Sequence, residues 1–250
     1  MIIEPATKDI HTFDDVERSR YSFLDEASRV ERYENNEPLI PQRDIEEVGI
    51  VCEPYWHTSD DLEGDTYGLH IDENPDFTLS IRRDVLKRLV GAQKTLPNLW
   101  QIVLKAGYRP YGVQVTLLNA FIDKARLDHP DWTEDEVIIH AQKFVSDPQI
   151  VCPPHVTGGA VDIDVRDKTT GKMIDFGCPP NTDSELAFLH SDLISKEQYA
   201  NRMTLLRAML DAGFAPLASE WWHYQYGETY WAAFYGYKTT KYDLLGYNKE

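Results

Sequence analysis

Within SIRRDVLKRLVGAQKTL, Val85, Leu86, Leu89 and Val90 recur three and four positions apart, the period of one helical face. That spacing predicts a helix. The run NLWQIVLKAG beyond Pro97 reads as a second helical stretch, stopped by Gly107. GVQVTLLNAFIDKARLDHP and SKEQYANRMTLLRAMLDAGF read as two further amphipathic helices, the latter ended by Gly213. Thr133 with Glu136 three residues on is the capping-box signature of another. In AVDIDV the period drops to two: Ala160, Asp162 and Asp164 share one face, and Val161, Ile163 and Val165 the other. This stretch reads as the first arm of a hairpin that turns at DKTTGK, and EEVGIVCEPYW as a strand entering a turn. Helices and strands mix without a βαβ rhythm. The expected fold is α+β, a single domain with a mostly antiparallel central sheet and flanking helices.

The chain has 250 residues, enough for one sizeable core. Residues 1–45 are charge-dense and irregular, punctuated by Pro38 and Pro41, and read as an arm wrapped on a domain of residues 46–250. A net charge of -17 argues against nucleic acid, whose phosphates need basic neutralisation, and against anionic membrane surfaces. No window reaches 18 consecutive apolar residues, and the N-terminal MIIEPATKDIHTFDD lacks the layout of a secretory signal. A cytoplasmic location is expected. Cys52, Cys152 and Cys178 are odd in number and show no CxxC spacing, which fits reduced thiols.

Of the eight histidines, two have neighbours that suggest chemistry. His155 opens H-x-x-G-x-A-x-D with Asp162, and His223 closes E-x-x-H with Glu220. Together they offer three zinc ligands and one spare carboxylate. Catalytic zinc sites commonly use three protein ligands, and a carboxylate beside them can take a proton from water. The valine face of AVDIDV suits a core. The aspartate face is costly to bury without a cation or hydrogen bonds, and is otherwise a solvent-facing strand. Gly158 and Gly159 let the backbone turn so that His155 can fold back toward Asp162. Arg109, ahead of Pro110, sits at a rigid corner from which a guanidinium could be aimed, or pairs with one of the many acids. The aromatic tail YQYGETYWAAFYGY reads as core packing, with a sugar-stacking surface as the alternative.

In order along the chain, GYRP, HVTGGAVD and EWWHY resemble the zinc D-alanyl-D-alanine peptidase family, and the spacing and double tryptophan resemble its VanX-type dipeptidase branch. The resemblance covers roughly residues 77–227. It implies a zinc cleft holding one Zn2+ per chain on His155, Asp162 and His223. It implies Glu220 as general base and Arg109 as oxyanion stabiliser, with a small peptide as the partner. Asp164 then falls outside the ligand set. Two departures stand out. Pro153 occupies the position of the family's usual serine, two residues before the first histidine. Asn181, with Asp183 two residues on, stands where the branch places an aspartate for the substrate's amino group. Asn181, Asp183 and Trp222 are the substrate-side candidates. The implied activity is hydrolysis of D-Ala-D-Ala or a similar dipeptide. The alternatives are a D,D- or L,D-carboxypeptidase trimming peptidoglycan-derived peptides, and a non-catalytic zinc-containing binding module.

Overall fold

A computed structural model describes residues 26–54, 79–142, 145–148, 152–182 and 184–246. The elements run β1 (Leu39–Pro41), α1 (Gln42–Glu47), β2 (Val51–Cys52), β3 (Ser80–Arg82), α2 (Arg83–Thr95), β4 (Trp100–Ala106), α3 (Tyr111–Asp128), α4 (Glu134–Ala141), β5 (Ala160–Asp167), α5 (Lys196–Asp211), β6 (Ala215–Leu217), β7 (Glu220–Gln225) and α6 (Thr229–Tyr235). Single 3-10 turns span Pro154–Thr157 and Glu185–Ala187.

Five strands form the central sheet in the order β2-β4-β5-β7-β6. Only β2–β4 is parallel; the other three pairings are antiparallel. The α+β architecture with a mostly antiparallel sheet is therefore as expected. The period-two pattern of β5 places its residues as read. Val161, Ile163 and Val165 enter the main core beside Ile102 and Leu104 of β4 and Tyr224 of β7. Leu86 and Leu89 of α2, with Leu205 and Met209 of α5, cover the same apolar face. Burying a side chain of this kind contributes about 1.5–3 kcal/mol, so the strand is held to its register by one face alone.

One expectation is overturned. The run after Pro97 is no helix but β4, a central strand. Its residues Ile102, Val103 and Leu104 are apolar in succession and buried on both sides, and so short a run carries no period that separates helix from strand. Gly107 consequently follows a strand, and Arg109 lies between β4 and α3 rather than behind a helix. The DKTTGK turn forms, with Asp167 Oδ1 accepting from the Thr169 and Thr170 amides, but its second arm pairs only through Arg166–Met173. The capping box at Thr133 and the left-handed Gly213 after α5 are present as read. So is the packing of the aromatic tail. Tyr224, Tyr226, Trp231 and Phe234 all belong to the main core.

The segment ahead of the sheet packs closely. β1 pairs antiparallel with β3, Ile45 of α1 is fully buried, and Arg32 forms an ion pair with Asp243 near the C-terminus. Among the described residues no helix is long and apolar enough to cross a membrane.

Candidate metal centre

His155 rides on the Pro154–Thr157 turn. Pro153 and Pro154 fix φ at its entry, and the Pro153 carbonyl accepts the Val156 amide at 3.0 Å. The proline that replaces the family's serine thus helps set the turn geometry. The turn exits through Gly158 at φ 73, where a side chain would collide with Leu39. Gly159 then passes so near the chain just beyond β7 that a Cβ would sit 2.4 Å from the Tyr226 carbonyl oxygen. These glycines allow a close approach that no other residue permits.

Asp162 projects from the polar face of β5, directly opposite His223 on β7. On its other side β4 carries one extra residue: Leu104 and Ala106 oppose Ile163 and Asp162, and Lys105 is the residue inserted between them. Such a bulge bends a strand where a side chain must be re-aimed. Glu220 needs a similar irregularity. In a regular strand, residues three apart face opposite ways. The pairing of β6 with β7 jumps between Pro216–Tyr224 and Leu217–Glu220, and the Glu220 carboxylate lies 4.0 Å from His223 Nδ1.

The ligand atoms of His155, Asp162 and His223 all lie within 4.8 Å of one another, and all three residues are buried. His155 Nε2 and His223 Nδ1 meet the same Asp162 oxygen, at 3.4 and 2.9 Å. The remaining ring nitrogens face outward from this point. His155 Nδ1 is 2.8 Å from the Gly107 carbonyl, and His223 Nε2 is 3.4 Å from Gln225 Oε1. Outer partners of this kind fix the tautomer of a ligating histidine. Two imidazoles and a carboxylate converging in a buried site fit a zinc ion with one position left open.

Charge follows the geometry. Burial pushes the Asp162 carboxyl up, but the two histidines outweigh it and hold it well below the usual carboxylate range. Burial lowers the His155 imidazole, with Asp162 opposing. Burial also acts to lower His223, yet its bond to Asp162 and the nearby Asp162 and Glu220 charges win, and its pKa rises. Glu220 is pushed up to about 7, first by burial and then by Asp162, while His223, Arg109 and a hydrogen bond from the Trp222 side chain pull it down. About a third of the Glu220 side chain remains exposed, so it opens to the cleft. A carboxyl poised near neutrality suits proton transfer in either direction.

Arg109 is near enough to act on both His155 and Glu220 through its charge. Its amide donates to the His155 carbonyl at 3.0 Å and its guanidinium to Gln114 at 2.9 Å. The structure therefore brings His155, Asp162, His223, Glu220 and Arg109 into one place. Trp222 is nearly fully buried in the core and packs edge-on against Trp221, so it meets the site through Glu220 and not as an open platform. Asn181 is exposed at φ 65, and no hydrogen bond joins it to the metal-binding group. Asp183 lies outside the described residues. Sequence reasoning missed Gln225, whose signal was its place two residues from His223 on the same strand face.

The profile of the family described as D-ala-D-ala dipeptidase, Peptidase_M15, matches residues 79–241. The chain belongs to this family of metallopeptidases. It is 28% identical over 200 residues to a D-alanyl-D-alanine dipeptidase of Synechocystis, covering 67% of this chain and 77% of that one. It is 26% identical over 125 residues to the D-alanyl-D-alanine dipeptidase of Escherichia coli, covering 50% and 54%. Among solved structures it is similar to a mutant of the vancomycin-resistance D,D-pentapeptidase VanY in complex with Zn(II), at 13% identity and a TM-score of 0.38, covering 66% of this chain and 83% of that one. It is also similar to VanYB in complex with D-alanine-D-alanine, at 15% and 0.38, covering 63% and 78%. The matched segment of the dipeptidase family contains all five converging residues. It leaves out the segment before residue 79.

Proposed function

We propose that this metallopeptidase hydrolyses D-Ala-D-Ala or a similarly small dipeptide, with one zinc held by His155, Asp162 and His223. The observation that carries the reading is the convergence of those three ligands beside the half-open carboxylate of Glu220. When bound, zinc supplies Lewis acidity for cleavage of an amide. The protein side chains do the rest. Glu220 takes a proton from the attacking water onto a carboxylate oxygen and delivers it to the departing amine. Its pKa near 7 favours neither form strongly, and a cation beside it shifts the balance toward the base. The Arg109 guanidinium faces the charge that develops on the scissile carbonyl oxygen; one such donor is worth roughly 10²–10³ in rate. Gln225 lies against the His223 ring, its Oε1 3.4 Å from Nε2.

The test is release of free alanine from D-Ala-D-Ala by the zinc-loaded protein. Turnover that chelation removes and zinc restores is the expected result; a zinc-loaded protein without activity on any D,D-dipeptide would sink the proposal. A carboxypeptidase reading draws on Asn181, which is neutral where the dipeptidase branch places a carboxylate. N-acetyl-D-Ala-D-Ala separates the two. A dipeptidase loses most of its rate on the acetylated substrate, and a carboxypeptidase keeps it.

A further inference from the structure

Arg82, at the end of β3, is almost completely buried, and its side-chain hydrogen bonds go to two segments. One is the turn that carries His155. Arg82 Nε donates to the Thr157 carbonyl at 2.7 Å, and the Arg82 amide donates to the Gly158 carbonyl at 3.0 Å. The other is the acidic segment ahead of the sheet. The two guanidinium NH2 groups donate to the two oxygens of Glu34, at 2.9 and 2.7 Å, and one of them also reaches the Glu37 carbonyl at 2.5 Å. This is a two-toothed arginine–carboxylate pair, the geometry that fixes direction as well as charge. Tyr242 closes the assembly. Its ring lies 4.7 Å from the guanidinium carbon, and its hydroxyl donates to the Glu37 carboxylate. Glu34 also accepts the Asp243 amide at 2.9 Å.

We infer that Glu34, acting through Arg82, positions the metal-ligand turn, so that a residue outside the family-matched segment tunes how His155 presents its ring. Gly107 and Arg109 hold the His155 side of the turn, through the ring nitrogen and the carbonyl. Arg82 holds the opposite side, at Thr157 and Gly158. Glu34 is the one carboxylate in an ion pair with Arg82 among the described residues, and it fixes the plane in which the Arg82 Nε points. Releasing that plane frees the far side of a turn whose near side bears a ligand. Glu34 and Arg82 are positioning residues; neither touches the ligand atoms. The inference rests on the metal assignment proposed above.

The experiment measures zinc affinity by chelator competition, and the visible absorption of the Co(II)-substituted full chain, for wild type, Glu34→Gln and Arg82→Lys. Either variant is expected to bind zinc roughly 10–100-fold more weakly, the range for lost outer-shell partners, and to shift the cobalt bands. Arg32→Met, which breaks the ion pair of the same segment with Asp243, is the control. It is expected to lower the Tm with zinc affinity within twofold of wild type. Tyr242→Phe removes only the hydroxyl bond to Glu37 and keeps the ring. It serves as the milder variant should the others not fold, with a smaller shift of the bands in the same sense. A lowered Tm with unchanged zinc affinity and unchanged cobalt bands in these variants overturns the inference, leaving the segment a structural strap. Wild type that binds neither metal overturns the metal assignment instead, and the inference with it.

Discussion

Asp162 and Asp164 stand two residues apart on the same face of β5, both buried, yet they inhabit opposite electrostatic regions. Around Asp162 two imidazoles turn their nitrogens inward, and the carboxyl stays ionised despite burial. Around Asp164 burial dominates. Its own neighbour's amide, Val165, is 2.7 Å away and Lys105 attracts it, but Glu53 repels it, and its pKa is pushed up to about 6. Burial correspondingly lowers the pKa of Lys105. The difference shows that an acidic strand face is not one site. A carboxylate is built to bind a cation only where the neighbouring strand brings donors to it. The β4 bulge at Lys105 lies at the boundary between the two regions.

The largest break in this comparison is expected from Asp162→Ala. The variant should lose zinc on dialysis, seen by metal analysis, while Asp164→Ala retains it. Equal metal retention by both would erase the distinction. Next is Glu220→Gln. It should keep zinc and lose roughly 10²–10⁴-fold in turnover, the range for a displaced acid–base group; a wild-type rate would remove Glu220 from the chemistry. The third concerns stability, measured by denaturant unfolding of the chelated protein. The folded state holds the Asp164 proton more tightly than the unfolded chain does. Between about pH 4 and 6 the folded state therefore keeps a proton that the unfolded state has released, and stability falls as pH rises through that window. Asp164→Asn should flatten the fall by up to roughly 3 kcal/mol. An unaltered pH profile would contradict the burial account. The smallest effect is expected from Asn181→Asp. If the loop meets the substrate amine, the preference for free over acetylated dipeptide should rise about tenfold, because a carboxylate holds an ammonium more strongly than an amide does.

The legible part of the fold was the part with a clear period. α2, α3 and α5 announce themselves by apolar spacing, and α4 by its capping box. β5 announces itself by strict alternation. β4 was not legible as a strand because an apolar run buried on both faces has no period to read. The candidate ligands were legible through a resemblance: HVTGGAVD and EWWHY are similar to motifs of the family, and the structure brings His155, Asp162 and His223 together. The outer partners were not. Gln225, Trp222 and Arg82 have ordinary residue identities, and only their neighbours reveal what they hold.

The sequence by itself determined which face of β5 is apolar, and hence that Asp162 and Asp164 share the other. It also determined that the chain carries two histidines and two acids in family-like spacing. Only the tertiary structure decided that Glu220 turns to the side of His223, because the register jump between β6 and β7 is a property of two strands and not of one. It likewise decided that Glu34 stands behind the His155 turn, across 48 residues from Arg82 and joined to it by a buried arginine. Local periodicity fixes where a side chain points from its own strand. What it meets there depends on strands and turns that the chain brings alongside from far away.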